Sequence, residues 1–521
     1  MAESGELLER GEYRLVRGAP LGNAGEAAPP QPRLKRIDRS QSYWGQIDVE
    51  RLIAAEHPAR AIWALVEKLS ITEFLIANKS VSGRAGADRI DPRVLVSVWV
   101  YSLSEGVGSA REISRRMEYE PGLRWLNGGE SINHHTLSDF RVEHGAALER
   151  LFAEVLAVLS QAGLMNLEQV TLDGTKIEAQ ASGQSFRREK TLREQLEHAQ
   201  RWVAQLSQEE TAAQHGKRRE AARRRAAEQQ QARLEQALEE VKQIRKTKKG
   251  DEEKQQARAS RSEPEARIMK TGEGGYAPSY NLQTMTDVAH KILVNVELSQ
   301  QASDQQQLQP ALERCQQERG QTPKQVIVDG AYITRDNLEA MAGQGIDLIG
   351  PALKPEQQQA RNGQQSLKAA GIAAEFGPSA FHILEQGAAL ECPAGKRLPR
   401  ISNASRYSQY RAQPQDCAAC PQRSQCCPRS GARTVKISKT NAAVTAFQER
   451  MKDPASREIY RVRGAVAEFP HAWIKDKIGL RKFHVRGLYK AGLEAKWAAL
   501  TYNIQQWIRL CWRPNLVPAA A

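Results

Sequence analysis

The hydrophobic residues between positions 48 and 164 recur with the period of an α-helix. One stripe follows the i, i+3, i+4, i+7 spacing of an amphipathic helix and consists of Ile62, Leu65, Val66 and Leu69. Asp91-Pro92 predicts the start of another helix, because Asp caps free N–H groups and Pro suits the first turn. Beyond it the pattern predicts two short helices and a long one, at about 109–117, 121–126 and 133–159.

From Gln169 onwards the pattern changes to that of strands alternating with helices. Two short apolar runs, 170–174 and 326–330, each end in Asp-Gly. A hairpin is predicted at 276–285 and 292–298, and the last block, 442–510, is again helical. Further predicted elements are helices at 304–319 and 335–342 and a strand at 347–350. The alternation predicts an α/β domain.

Two segments interrupt this pattern. Residues 187–262 contain 20 Lys and Arg against 13 Asp and Glu, with two thin leucine stripes that predict a helical hairpin or antiparallel coiled coil. Residues 351–440 are rich in Gly, Gln and Pro and contain a cysteine cluster. The predicted organisation is a loose arm (1–42), a helical domain (43–165), an α/β domain with these two insertions (166–510) and a tail (511–521).

Charge and composition narrow the possible partners and compartments. The 521 residues carry a net charge of +14, which suits a polyanion, either nucleic acid or an anionic membrane surface. The longest mostly apolar run, 94–103, is too short to span a bilayer, and residues 1–20 lack the apolar core of a signal peptide. Seven cysteines do not make a disulfide framework, so we expect a reduced, cytosolic chain that does not enter a membrane.

The two Asp-Gly pairs are the first candidates for chemistry. Asp173 and Asp329 each follow an apolar strand, and strand ends are where sites form in α/β sheets. The simpler interpretation is a tight turn, for which Asp-Gly is a strong signal. Asp287 and Asp304 lie nearby in sequence and are expected to be a turn residue and a helix N-cap.

A second candidate set lies in the last helical block and comprises Tyr460, Arg463, Glu468 and Lys475. On an unbroken helix these four would fall within an arc of roughly 140°. Such a face would present one carboxylate with cations beside it. A solvated face of alternating charge is the alternative interpretation.

Together these motifs resemble those of bacterial insertion-sequence transposases of the DDE class, over about 43–510. The first-aspartate motif of that family resembles 172–176, Leu-Asp-Gly-Thr-Lys, and the second resembles 328–332, Val-Asp-Gly-Ala-Tyr. Its glutamate helix, Tyr-x2-Arg-x3-Glu-x6-Lys, is similar to the second candidate set, with four residues instead of three between Arg463 and Glu468. Pro470 is a further departure and is expected to kink or end the helix.

The resemblance implies a ribonuclease-H-like catalytic domain that cleaves the ends of its element and transfers the freed 3′-OH to target DNA. Asp173, Asp329 and Glu468 would be catalytic and would hold Mg²⁺ or Mn²⁺, because these ions prefer oxygen ligands and a pair of them can activate and stabilise the reacting oxygens. Tyr460, Arg463 and Lys475 would contact DNA phosphates.

The implied partners are double-stranded terminal repeats, target DNA and a second copy of the chain when two ends are paired. The implied location is the nucleoid of the bacterial cytoplasm. Two alternatives stay open, namely a non-catalytic DNA-binding relative and a Mg²⁺ nuclease without strand transfer.

The cysteine cluster is a candidate structural zinc site. Cys417-x2-Cys420 has the spacing of a zinc knuckle, Cys392 begins a similar half-motif, and Cys426 or Cys427 could be the fourth ligand. The alternative is a set of free thiols in an insertion.

The helical domain contains a further candidate site, for DNA. Arg111, Arg115 and Arg116 lie where short helices and a glycine turn precede a third helix, which suggests a helix-turn-helix-like reader of terminal repeats. A helical bundle with a charged surface fits equally well. The basic insertion would either follow DNA phosphates or form a solvated or dimerising helical pair.

Overall fold

The computed structural model describes residues 47–75, 89–209, 217–248, 250–272, 274–351, 365, 367–439 and 441–513. The predicted N-terminal arm at 1–42 lies outside these residues, as does most of the predicted tail at 511–521. None of the described helices combines the length and the apolar character that crossing a membrane requires.

Helices form the described chain as far as Gln161, as the hydrophobic period predicts. They are α1 (Pro58–Val66), α2 (Thr72–Leu75), α3 (Pro92–Ser104), α4 (Ala110–Arg116), α5 (Pro121–Leu126), α6 (His134–Glu143) and α7 (Gly145–Gln161). Local capping sets their starts: the Asp91 carboxylate accepts from the N–H of Arg93, and the Asn133 side chain accepts from that of His135.

The single long helix predicted at 133–159 is wrong, because α6 and α7 are separated at His144. His144 leaves the helical region with φ −111° and ψ 48°. The hydroxyl of Tyr489 approaches the backbone of Gly145 so closely that a Cβ there would overlap it. A contact distant in sequence therefore accompanies the break.

The central sheet contains six strands among the described residues. They are β1 (Gln169–Glu178), β4 (Arg267–Lys270), β5 (Tyr276–Asp287), β6 (Leu293–Ser299), β7 (Gln325–Val328) and β8 (Asp347–Ile349). Their order is β6–β5–β1–β7–β8, with β4 beside β6 on the same edge of β5. β1, β7 and β8 are mutually parallel, whereas β5 is antiparallel to β1. The predicted hairpin is confirmed as β5 and β6.

The placement of Asp173 at a strand end is wrong. β1 continues to Glu178 because its whole length pairs with the long strand β5, whereas β7 pairs with only its first four residues. Asp173 therefore lies in mid-strand opposite Thr284, and the turn interpretation of Asp173-Gly174 is also wrong. Asp329 does follow the end of β7 directly.

Two helices flank β7 in the chain, α11 (Leu308–Arg319) and α12 (Arg335–Gln344). Asp304 is not the N-cap of α11, since that position is Gln307. Asp287, predicted to be a turn residue, is the last residue of β5, and its carboxylate accepts from the N–H groups of Ala289 and His290 in the turn that follows.

The basic segment forms the predicted pair of helices, α8 (Glu189–Glu209) and α9 (Lys217–Thr247), followed by a short α10 (Asp251–Gln255). Strands β2 (Phe186–Arg188) and β3 (Arg258–Ser260) pair antiparallel at its base. The helices have a small core of their own, made of Leu192, Ala199, Leu234, Ala237, Val241, Ala257 and Ala259.

The cysteine-containing segment forms a second sheet that the sequence pattern does not predict. Its antiparallel strands, in the order β13–β12–β11–β10–β9, are β9 (His382–Leu384), β10 (Ala389–Glu391), β11 (Arg397–Asn403), β12 (Tyr407–Arg411) and β13 (Thr434–Ser438). Short helices α13 (Pro414–Ala418) and α14 (Arg423–Cys426) lie between β12 and β13.

The last block is helical, as predicted, but it is not one continuous helix. Its helices are α15 (Ala442–Lys452), α16 (Pro454–Arg461), α17 (Arg463–Ala472) and α18 (Leu488–Trp507). Val462 separates α16 from α17, although its backbone stays in the right-handed helical region, so Tyr460, Arg463, Glu468 and Lys475 lie on two helices and the turn that follows rather than on one unbroken helix. Pro470, which was predicted to kink or end the helix, does not end it at once: the regular α17 continues for two residues, to Ala472, and then becomes a π-helical turn at Trp473–Lys477.

Candidate active site

Two aspartates from neighbouring strands lie close together. Asp173 is in the middle of β1, and Asp329 follows β7, the parallel neighbour of β1. The guanidinium of Arg463 lies between them, with its Nη2 atom 2.9 Å from Asp173 Oδ1 and 4.0 Å from Asp329 Oδ2. The fold therefore brings the two predicted aspartates to one place and gives them a shared cation.

Burial disfavours the ionised form of the Asp173 carboxyl. Burial raises the pKa of the Asp173 carboxyl to about 6. The guanidinium of Arg463 and the N–H of Gly174 lower that pKa, and the charges of Asp329 and Asp304 raise it. A cation at this position would favour the ionised carboxylate, which is the electrostatic setting of many functional sites.

His471 is a site residue that the sequence did not reveal. Its Nδ1 atom lies 3.9 Å from Asp173 Oδ2, and its Nε2 atom is 2.7 Å from the Thr284 hydroxyl. Burial, with Lys475 and Arg463 nearby, lowers the pKa of His471 to about 3. A neutral imidazole therefore faces the carboxylate at physiological pH.

Asp304 is the second residue that the sequence interpretation missed. Its Oδ1 atom accepts hydrogen bonds from Asn281 Nδ2 at 2.6 Å and Gln283 Nε2 at 2.7 Å, and Lys176 Nζ lies 3.4 Å away. Asn281 and Gln283 are polar residues two apart on a buried strand, and buried polar groups need partners. Two polar residues on one face of an otherwise buried strand were the sequence signal that could have predicted this network.

Gly174 is required by this network rather than by a turn. A Cβ at Gly174 would lie 2.5 Å from Asp304 Oδ1 and 2.9 Å from Asn281 Oδ1. Tyr332, which is fully buried, donates to Gln283 Oε1 at 2.5 Å and completes the group. Glycine next to Asp173 thus lets a polar cluster approach the strand backbone closely.

Besides Arg463, two residues of the second candidate set, Lys475 and Tyr460, lie near the aspartate pair. Lys475 Nζ donates to Thr175 Oγ1 at 2.7 Å, two residues after Asp173. Burial raises the pKa of the half-buried Tyr460 phenol, Arg463 lowers it, and Asp329 and Asp173 raise it further. Tyr460, Arg463 and Lys475 therefore all act on the same site despite the break at Val462.

Glu468 is not assembled with the two aspartates. Its side chain is exposed on α17, which packs against β1 and β5 and carries Arg463 and His471. Within the described ranges, no three carboxylate, imidazole or thiol groups stand close enough to form a complete metal centre. The structure thus supplies two carboxylates in place and a third on the adjoining helix.

The residues present suit a hard divalent cation. The donor set consists of carboxylate oxygens, which Mg²⁺ and Mn²⁺ prefer. Arg463 already places positive charge between Asp173 and Asp329. Asp173, Asp329 and, after a change of side-chain conformation, Glu468 are the groups that could hold the ion.

The predicted DNA-reading arginines and the cysteines are placed elsewhere. Arg115 and Arg116 on α4 both pair with Glu112, at 2.7 and 2.8 Å, and Arg111 is exposed. The cysteines Cys392, Cys417, Cys420, Cys426 and Cys427 line one small cavity in the second sheet.

Two protein-family profiles match the chain. The profile described as "Transposase DDE domain" matches residues 391–508, and "Transposase domain (DUF772)" matches residues 47–143. The first covers Glu468 and the residues around it, whereas Asp173 and Asp329 lie outside both. Comparison with curated proteins gave no match, and neither did comparison with solved structures. The two transposase profiles, on separate segments of the chain, indicate that it is similar to insertion-sequence DDE transposases.

Proposed function

We propose that this chain is a transposase that binds the ends of its insertion sequence, cleaves them and transfers the freed 3′ ends to target DNA in a reaction that requires Mg²⁺ or Mn²⁺. The observation that carries the proposal is the pair of carboxylates, Asp173 and Asp329, held together around one cation on neighbouring strands. A mixed sheet with these residues on its central parallel strands supports the ribonuclease-H-like fold that the resemblance implies.

In this proposal Asp173, Asp329 and Glu468 hold the metal. DDE transposases generally use divalent metal ions, which would activate the attacking oxygen and stabilise the leaving oxygen here. Glu468 lies five residues after Arg463 and three before His471 on α17, the helix that contacts β1, and it is the one carboxylate on that helix. The imidazole of His471 lies beside the Asp173 carboxylate and is neutral, so it adds no charge to the site.

The cations of the motif would hold the DNA. Arg463 and Lys475 approach the aspartates from α17 and the π-helical turn, and Tyr460 adds a phenol at the same place. Cations and hydroxyls that converge beside a carboxylate pair are suited to phosphate oxygens of a scissile strand. In this proposal the guanidinium of Arg463 contacts the carboxylates and also a phosphate of the bound DNA.

The remaining basic surface would bind DNA away from the reaction. A net charge of +14 and the basic helices α8 and α9 favour a polyanionic partner. We propose that α4, with Arg111, Arg115 and Arg116, faces the terminal repeat, and that two chains pair when two ends are brought together. The substrate places the reaction at the bacterial nucleoid.

The direct test is an in vitro reaction of the full chain with DNA that carries the element's two ends. We expect nicks at the ends and joining of the 3′ ends to a plasmid with Mg²⁺ or Mn²⁺, and neither product with EDTA. Nicking without joining would indicate a metal-dependent nuclease. Specific binding without any nick would indicate a non-catalytic relative, and either outcome would contradict the proposal.

A competition experiment separates residues that read sequence from those that follow phosphates. Arg115→Ala with Arg116→Ala should weaken binding to the terminal repeat more than to random DNA, because base contacts carry the sequence information. Arg223→Glu, Arg224→Glu and Arg225→Glu on α9 should weaken binding to both DNAs about equally. These three changes should also reduce the log–log salt slope by about 0.9 for each lost phosphate contact.

Binding should be measured at two salt concentrations, with Arg150→Ala on α7 as the control. Arg150 is an exposed arginine of the same helical part that pairs with Glu73. An equal loss on both DNAs for the Arg115 and Arg116 change would mean that α4 only positions the duplex. A constant salt slope for the α9 changes would leave α8 and α9 as a solvated or dimerising pair.

A further inference from the structure

Five cysteines from three parts of the cysteine-containing segment line one small cavity of about 30 Å³. Cys392 follows β10, Cys417 and Cys420 lie in and after α13, and Cys426 and Cys427 end α14. All five thiols are free of disulfides. Residues up to 35 positions apart in sequence therefore converge on a space suited to one ion.

Two of these sulfurs accept hydrogen bonds from backbone N–H groups. The N–H of Lys396 donates to Cys392 Sγ at 3.3 Å across a tight turn, in which Gly395 has a φ of +70°. The N–H of Arg433 donates to Cys417 Sγ at 3.4 Å. Backbone N–H groups aimed at sulfur stabilise the thiolate, which is the form that binds metal.

The charges that line the cavity fit a tetrathiolate centre. Four thiolates around one Zn²⁺ carry a net charge of 4 × (−1) + 2 = −2. Lys396, Arg423 and Arg433 line the cavity against one carboxylate, Asp416, which gives 3 − 1 = +2. The charge of the residues that line the cavity is therefore opposite in sign to that of the zinc–thiolate centre that would form.

The second sheet has only a small hydrophobic core of its own. Its own core consists of Phe381, Leu390, Leu398, Tyr410, Ala412 and Val435. Its strands are three to seven residues long. Small units with cores of this size generally need a disulfide or a metal to be stable, and Cys392, Cys417 and Cys426 pack directly against this core.

We propose that this cavity binds one structural Zn²⁺ through Cys392, Cys417, Cys420 and Cys426. The site is independent of the proposed carboxylate site. Binding would release the four thiol protons and form four Zn–S bonds of about 2.3 Å in tetrahedral geometry. Among the described residues no three of these thiols stand at ligand spacing, so the proposal requires their side chains to turn toward the cavity centre when the ion binds. Cys427, which is 3% exposed, stays as a packing residue.

The test is metal analysis of the full chain purified under reducing conditions without chelator. We expect about one zinc per chain, lost in Cys417→Ser with Cys420→Ser and in Cys426→Ser. Zinc should be retained in Cys427→Ser and in Cys315→Ser, the latter being a buried thiol on α11. Loss of zinc from Cys427→Ser with retention in Cys426→Ser would overturn the assigned ligand set.

Cobalt titration of the metal-free wild-type chain keeps the proposal testable if a variant fails to fold. Co²⁺ should produce thiolate charge-transfer bands in the near ultraviolet and intense visible bands of a tetrahedral site, at one equivalent per chain. Zinc should then displace the cobalt and protect residues 382–438 from proteolysis. A folded, metal-free wild-type protein that gives no such bands would overturn the proposal and leave five packing thiols.

Discussion

Asp173→Asn, Asp329→Asn and Glu468→Gln are each expected to reduce DNA cleavage by at least about a thousandfold while leaving binding to the element's ends largely intact. A bound metal contributes several kcal/mol to the transition state, and each 1.4 kcal/mol is about a factor of ten in rate. The amides keep the shape of the side chains and remove the charge that would hold the ion. Cleavage should be measured with pre-formed DNA complexes, so that binding and chemistry are separated.

The three variants should differ in stability, and that difference helps to interpret the result. Burial raises the pKa of Asp173, so Asp173→Asn removes a costly buried charge and should fold at least as stably as the wild type at neutral pH. Glu458→Gln on α16 is a suitable control, because Glu458 is an exposed carboxylate that pairs with Arg461 outside the site. Normal Mg²⁺-dependent nicking by a variant would remove that residue from the metal site.

Glu468→Gln is the decisive member of this series. Glu468 is exposed and makes no contact with Asp173 or Asp329 in the described structure, so its role depends on a change of conformation. If Glu468→Gln retains full cleavage, the third ligand must come from elsewhere. Asp304 would then be the next candidate, since its charge already acts on Asp173.

Arg141→Met is expected to lower the free energy of unfolding by about 3–5 kcal/mol, the typical cost of leaving one partner of a buried ion pair uncompensated. Arg141 on α6 pairs with Glu494 on α18 at 3.2 Å, and their side chains are 5% and 2% exposed. Arg141 also donates to the carbonyl of Gly108 at 2.9 Å and lies over the Trp99 ring. Thermal and urea unfolding of the full chain would measure the effect.

This ion pair connects the two segments that match transposase profiles, 47–143 and 391–508. Arg335→Met is the matched control, because Arg335 pairs with Glu339 at 3.0 Å, with side chains 26% and 48% exposed, and the change should alter stability by less than about 1 kcal/mol. The double variant Arg141→Met with Glu494→Gln should be more stable than Arg141→Met alone, since it removes both charges and keeps a side-chain oxygen for the N–H of His484. A change below about 1 kcal/mol for Arg141→Met would show that the two segments do not depend on this pair.

Local signals in the sequence determined much of the framework. Helix starts such as Asp91 and Asn133 were predictable because a capping side chain bonds to an N–H only two residues away. The helical pair α8 and α9 and the hairpin β5–β6 were predictable because their periodicity is complete within each segment. The grouping of Asp173 with Asp329 followed from the family motif and the strand pattern together.

Only the tertiary structure decided how the site is built. Asp173 lies in mid-strand because β5, a hundred residues later, extends the pairing of β1. Arg463 bridges the aspartates, and His471 and Asp304 join them, through contacts between elements that no local pattern specifies. The hydrophobic periodicity likewise did not predict the helix interruptions at His144 and Val462. Capping and periodicity act over a few residues, whereas pairing, burial and shared charge depend on which distant segments the folded chain brings into contact.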